Sequence, residues 1–230
     1  ESCVSDIKNQ IVVVMEPAYH GVINNIADRV ERRFKADSSG HDWWHVYRVW
    51  QMAKQLSVGR EVDLFVVELG ALMHDMADHK LINPEEGCRQ IAADLKQENV
   101  NPDVIDRVLH IAQHISFKGA KVEQEKLSPE GEIVQDADRL DAIGAVGVAR
   151  TFMFGGSRGN LMHDPDISPE RHADFESYKK STAPVINHFY EKLLLLKDRM
   201  NTFRGKEIAE ERHTFMQTFL ERFYDEWEGR

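Results

Sequence analysis

Apolar residues along the chain recur at intervals of three and four far more often than they alternate with polar ones. Val49, Met52, Ala53 and Leu56 follow His45 on a single helical face. From Leu64 to Met76 the chain is apolar nearly all round, which predicts a buried central helix. Near the C-terminus Phe215, Phe219, Phe223 and Trp227 repeat every four residues, a stripe that predicts helix packing rather than ligand binding. Strand-like alternation is scarce, and residues 117–127 hold either a short hairpin or a loop.

Helix starts are marked unusually clearly. Asn83-Pro84-Glu85, Asn101-Pro102-Asp103, Ser128-Pro129-Glu130 and Ser168-Pro169-Glu170 share one grammar. An Asn or Ser caps the helix, proline takes its first position, and an acid meets the positive end of the helix dipole. Together the patterns predict helices near 6–35, 42–57, 61–77, 84–98, 102–116, 130–151, 170–200 and 206–228. The Gly-, Asp- and Pro-rich stretch from Phe154 to Pro169, with Gly155-Gly156 near its start, is the expected irregular segment. No repeat or low-complexity linker interrupts the chain. The predicted fold class is all-α, a helical bundle.

Composition narrows the function classes. With 42% hydrophobic and 30% charged residues over 230 positions, the chain has the make-up of a folded domain, or of a small two-lobed one. No apolar run approaches the roughly 20 residues of a membrane-crossing helix; Ile11 to Met15 is cut short by Glu16 and Pro17. Glu1 and Asp6 are unlike the basic start of a signal peptide, so the expected localisation is cytoplasmic. Two cysteines, Cys3 and Cys88, make neither a disulfide framework nor a zinc knuckle. A net charge of −10 argues against nucleic-acid or membrane partners. Any phosphate must be met by local positive charge or by a metal.

Candidate chemistry begins at His74-Asp75, the end of the most apolar helix. A charged Asp this close to Leu69-Gly70-Ala71-Leu72-Met73 is costly to bury unpaired. A divalent metal removes that cost and suits imidazole plus carboxylate ligands; a water-exposed helix end is the alternative. Neighbours on an α-helix sit about 100° apart, so both side chains reach one ion only off the helix edge or end. His41 and His45 are four apart and share a face. Asp136, Asp138 and Asp141 precede the small, apolar run from Ile143 to Ala149, and carboxylates entering a buried segment need a cation. For Asp138 that cation is read as a metal; for Asp141 a salt bridge to Arg139 competes with it.

The order His45, then His74-Asp75, then Asp138 resembles the H…HD…D signature of the HD-domain phosphohydrolases. The likeness is carried by His41-Asp42-Trp43-Trp44-His45-Val46-Tyr47-Arg48-Val49 and His74-Asp75-Met76-Ala77-Asp78-His79-Lys80. It continues through Gln135-Asp136-Ala137-Asp138-Arg139-Leu140-Asp141-Ala142-Ile143-Gly144 and His188-Phe189-Tyr190-Glu191-Lys192-Leu193-Leu194. These stretches span nearly the whole chain and are similar to a subgroup of small stand-alone bacterial-type HD proteins with nucleotide pyrophosphohydrolase activity. The resemblance implies a single HD-type helical domain over 1–230, with a metal-binding core at about 41–150 and C-terminal helices at about 170–228 packed on it. In HD proteins an apolar residue often follows the first ligand by four, as Val49 follows His45, so His45 is assigned to the metal and His41 to the substrate edge.

The implied metal ligands are therefore His45, His74, Asp75 and Asp138, holding Mn²⁺ or Mg²⁺, with Fe, Co or Ni as alternatives. Two histidines and two carboxylates leave coordination positions open for water and a phosphate oxygen. Asp78 lies one turn after His74, where related nucleotidases keep an acid beside the attacking water, and is the expected base. Lys80, Arg139 and Lys192 are suited to phosphate, and His114 is similar to a histidine that recurs in the subgroup. His110, four residues earlier, joins it as a pocket wall or second-metal ligand. Cyclic-dinucleotide phosphodiesterases of the family carry a Lys where this chain has Asp78, which disfavours that activity. The implied reaction is hydrolysis of nucleoside triphosphates to monophosphate and pyrophosphate. Other phosphoester hydrolysis, a mixed-valence di-iron oxygenase and a non-catalytic nucleotide sensor are the alternatives; metal analysis separates the oxygenase, and binding without turnover the sensor. The expected partners are a small nucleotide or phosphoester and, at most, a second copy of the chain.

Overall fold

The computed structural model describes residues 19–35, 42–77, 83–116, 125–170 and 183–230. Helix α1 covers 19–34, and α2 (Trp43–Ser57) and α3 (Leu64–Met73) follow. A 3₁₀ turn, His74–Ala77, leads on to α4 (Pro84–Gln97), α5 (Pro102–His114), α6 (Pro129–Asp141) and α7 (Gly144–Ser157). Then come α8 (Val185–Glu191), two short 3₁₀ turns at Leu193–Leu195 and Lys197–Arg199, and α9 (Phe203–Trp227). No strand occurs among the described residues. The fold is all-α, as the periodicity predicts.

Capping explains the starts. Asn83 accepts from the amides of Glu85 and Glu86, Asn101 from Asp103, and Ser128 from Gly131, with proline at the first helical position each time. Asp42, Asp63 and Thr202 cap α2, α3 and α9 in the same way. Residues 171–182 of the helix expected after Ser168 fall outside the described residues, as do 6–18 of the first predicted helix and 117–124 of the hairpin-or-loop segment.

Four expectations need correction. The helix predicted over 130–151 is two helices, because Gly144 adopts φ +77, which only glycine takes without strain. A Cβ there would also lie 2.9 Å from Arg212 Cγ. The second of these helices then runs through Gly155-Gly156 to Ser157, so the irregular segment starts later than Phe154. The C-terminal part of the helix predicted to end at 200 stops at Glu191, where Lys192 turns to φ −139, ψ −58. Finally, His74 and Asp75 lie on the 3₁₀ turn and not on α-helix.

Helices α2, α3 and α6 pack on one another, α5 lies against α3, and α4 against α5 and the 3₁₀ turn. Helix α9 covers α6 and α7. One core runs through these contacts, with α3 buried from Val66 to Met73 at its centre. The aromatic stripe of α9 packs in its middle, where Phe219 stacks on Phe189, while Phe215 and Trp227 stay about half exposed.

Two close approaches set the frame of the bundle. Asp136 is fully buried on α6, and its carboxylate accepts from the amides of Asn201 and Thr202 and from the Thr202 hydroxyl, at 2.7–2.8 Å. The sequence argument asked for a cation here. Backbone donors at the start of α9 do that work instead, satisfying the buried charge with N–H groups. Gly87 on α4 lies against the 3₁₀ turn, and a Cβ there would lie 2.1 Å from the Met76 carbonyl oxygen.

Asp136→Ala leaves buried amides without an acceptor, and the expected loss is about 3 kcal/mol. In thermal melts the midpoint falls by about 6–12 °C. Gly87→Ala should gain up to about 1 kcal/mol from helix propensity, yet overpacking by about 1–3 kcal/mol opposes it. Urea unfolding is expected to show net destabilisation.

Candidate metal centre

Three elements meet at one point. The cap Asp42 starts α2 so that His45, the third residue of the helix, faces the core at 1% exposure. The 3₁₀ turn closing α3 brings in His74 and Asp75, and α6 supplies Asp138 in its last turn. His45 Nε2 lies 3.2 Å from His74 Nε2, 3.3 Å from Asp75 Oδ2 and 3.5 Å from Asp138 Oδ1. His74 Nε2 is 3.3 Å from Asp75 Oδ1 and 3.8 Å from Asp138 Oδ1. Adjacent His74 and Asp75 reach a common point because the 3₁₀ turn that carries them lies at the end of α3, off the helix edge.

Tautomers follow from the partners. A carbonyl oxygen only accepts, so His74 Nδ1, 2.8 Å from the Ala71 carbonyl, carries a proton. His45 Nδ1 donates to Asp141 Oδ2 at 2.7 Å. With one proton per ring, both Nε2 lone pairs therefore point at each other and at two carboxylates. Such a group of like-signed donors is stable only around a positive charge. Nitrogen and carboxylate oxygen in this mixture suit a divalent ion, so the residues fit the metal. Solvent reaches the cluster past Asp138, whose side chain is 31% exposed.

The electrostatics of the protein without metal tell the same story. Burial and the Arg150 guanidinium both oppose a proton on His45, yet the Asp141 and Asp75 carboxylates outweigh them and push the imidazole up to about 9. Burial likewise opposes ionisation of Asp141, but hydrogen bonds from His45 and Arg48 hold its carboxyl well below the ordinary range.

Asp141 is the residue whose role the sequence left open. Its carboxylate receives Arg48 Nε at 2.7 Å and Arg150 Nη1 at 2.8 Å, besides His45. Arg139, the partner suggested by proximity, instead donates to the Arg199 carbonyl. Burial lowers this guanidinium to about 10, against the pull of Asp136 and Asp138. Spacing did hold a clue: Arg48 lies one turn beyond His45, and Asp141 one turn beyond Asp138.

His41, Asp78 and Lys80 lie outside the described residues. Lys192 is half-buried at the break after α8. His114 bonds its own helix through Nδ1, 2.7 Å from the His110 carbonyl, and faces Glu125 with Nε2 at 3.0 Å. His110, His114 and Glu125 form a second group with ligand-like spacing. In the irregular segment, His163 sits against Phe223, Tyr224 and Trp227 of α9.

No helix among the described residues is long and apolar enough to cross a membrane. Residues 43–143 match the HD domain family model. YpgQ of Bacillus subtilis (strain 168) is 43% identical over 186 residues, which is 80% of this chain and 83% of that one. Its crystal structure in complex with ADP superposes with a TM-score of 0.69 at 37% identity, over 87% of this chain and 97% of that one. A Lactobacillus plantarum protein reaches a TM-score of 0.83 at 35% identity, over 91% and 98% of the two chains. An HD-superfamily hydrolase from Bacillus thuringiensis gives 0.71 at 40% identity, over 92% and 100%. The chain belongs to the HD-domain family, as an HD-superfamily hydrolase.

Proposed function

We propose that the protein is a metal-dependent nucleotide pyrophosphohydrolase, cleaving nucleoside triphosphates to monophosphate and pyrophosphate. The observation that carries this reading is the convergence of two imidazole lone pairs and two carboxylates within 3.2–3.8 Å, open to solvent on one side. His45, His74, Asp75 and Asp138 hold the divalent ion, Mn²⁺ or Mg²⁺. When bound, that ion supplies Lewis-acid polarisation of a phosphoryl oxygen and a more acidic water. The ADP held by YpgQ, a 37% identical relative, supports a nucleotide as substrate. The net charge of −10 opposes a polyphosphate, so the metal and local cations would have to offset it at the site.

The protein's own groups do the rest. Asp78, one turn past His74 in sequence, takes the proton from the attacking water. His41 borders the substrate, and Lys80, His114, Arg139 and Lys192 hold phosphate oxygens. Arg139 remains charged at neutral pH despite its burial. His45 would serve as a ligand only in its neutral form, so its Nε2 would have to be free of the proton that the Asp141 and Asp75 carboxylates favour.

A second reading is favoured by one observation, the His110–His114–Glu125 group. A second ion held by this group, besides one at His45, would suit phosphoester hydrolysis or di-iron oxygenation. Elemental analysis separates the readings: one ion per chain is expected, and two irons per chain would move the protein to the oxygenase class.

A nucleotide and phosphoester screen with added Mn²⁺ tests the proposal. Wild type is expected to release pyrophosphate from a nucleoside triphosphate. Asp75→Ala should lose more than about a hundredfold of that activity, since even groups behind a ligand are worth about 10–100-fold, while its circular dichroism stays helical. Equal rates for the two proteins would place the chemistry elsewhere.

A further inference from the structure

The ligand His45 is not held by α2 alone. Its Nδ1–H is bonded to Asp141, and Asp141 is clamped by two guanidiniums from different helices: Arg48 on α2 and Arg150 on α7. The two arginines are unequal. The Arg48 side chain is 36% exposed, beside a cavity of about 470 Å³ bounded by Tyr47, Gln51, Met52, Val146 and Phe215. The Arg150 side chain is only 17% exposed and its Asp141 partner 6%, so this pair is little screened by solvent. Arg150 also lies beyond the segment matched by the family model, which ends at residue 143. Its position depends on the sharp corner at Gly144 and on α9. Arg212 of α9 packs over that glycine and bonds the Leu140 carbonyl at 2.5 Å.

We infer that Arg150 is a positioning residue of the metal centre, acting through Asp141 to fix the ring of His45 with Nδ1 protonated and Nε2 turned to the ion. The helices that follow the matched segment are thereby part of the centre. With Arg150 in place, Asp141 keeps one oxygen oriented for His45 while the guanidinium offsets its charge. Without it, the carboxylate is free to swing toward Arg48, and the imidazole loses its fixed partner. Groups that orient a ligand in this way are worth about 10–100-fold in metal affinity. The inference rests on the metal reading proposed above, and the test separates the two.

Calorimetric titration with Mn²⁺ is to be run on wild type, Asp75→Ala, Arg150→Gln, Arg48→Gln, Asp141→Asn and the Asp141→Asn/Arg150→Gln double variant. Long-range ¹H–¹⁵N spectra of the Zn²⁺-loaded proteins report the His45 tautomer alongside. Arg150→Gln is expected to weaken Mn²⁺ about tenfold or more and to broaden or split the Nδ1–H signal. Arg48→Gln, at the solvent edge, should cost about threefold or less. In the Asp141→Asn background Arg150→Gln should add less than about twofold, because the path through Asp141 is already cut. A purely structural role would lower the melting point without moving the tautomer. Affinity within about twofold of wild type for Arg150→Gln, or its full effect persisting in the Asp141→Asn background, overturns the inference. Should Arg150→Gln not fold, Asp141→Asn decides alone, and wild-type affinity there overturns it. Equal binding by wild type and Asp75→Ala would instead overturn the metal reading itself.

Discussion

Two imidazole lone pairs and two carboxylates turned toward one point, buried on all but the Asp138 side, repel one another unless a positive charge lies between them. That constraint organises this molecule. His45 and His74 are each 2% exposed at the side chain, and their Nδ1 atoms are already committed, to Asp141 and to the Ala71 carbonyl. Only Nε2 is left to face the cluster. A proton on His45 answers the need in part: against burial and the Arg150 guanidinium, the Asp141 and Asp75 carboxylates push the imidazole up to about 9. A divalent cation answers it with twice the charge and leaves both rings neutral.

The backbone devices around the centre make sense as ways of aiming these groups. Asp42 starts α2 at the right register for His45. The 3₁₀ turn after α3 splays His74 and Asp75 onto one point, and Gly87 lets α4 lie directly against that turn. Asp136 fastens α6, and with it Asp138, to the beginning of α9. The corner at Gly144 then sends α7 back so that Arg150 reaches Asp141. Local helix chemistry and the demands of the centre are thus met by the same residues.

Much of this was legible in the sequence. The Asn-Pro and Ser-Pro motifs gave the beginnings of α4, α5 and α6 almost to the residue, since caps act on the nearest amides and need no tertiary context. The gathering of His45, His74, Asp75 and Asp138 followed from the resemblance and from the cost of burying Asp75. What failed did so for tertiary reasons. The periodicity of 130–151 is continuous, and only the packing of Arg212 over Gly144 shows that the chain must turn there. Asp136 looked like a residue in need of a cation because its true partners, the amides of Asn201 and Thr202, lie some 65 positions away. Arg139 looked like the partner of Asp141 by adjacency, yet the partners come from α2 and α7.

The most direct measurement is a crystal structure of the protein grown with Mn²⁺, with anomalous scattering recorded at the manganese edge. The account predicts a strong peak bounded by His45 Nε2, His74 Nε2 and the carboxylates of Asp75 and Asp138. Density in which these side chains turn away from one another, with no anomalous signal between them, would contradict it.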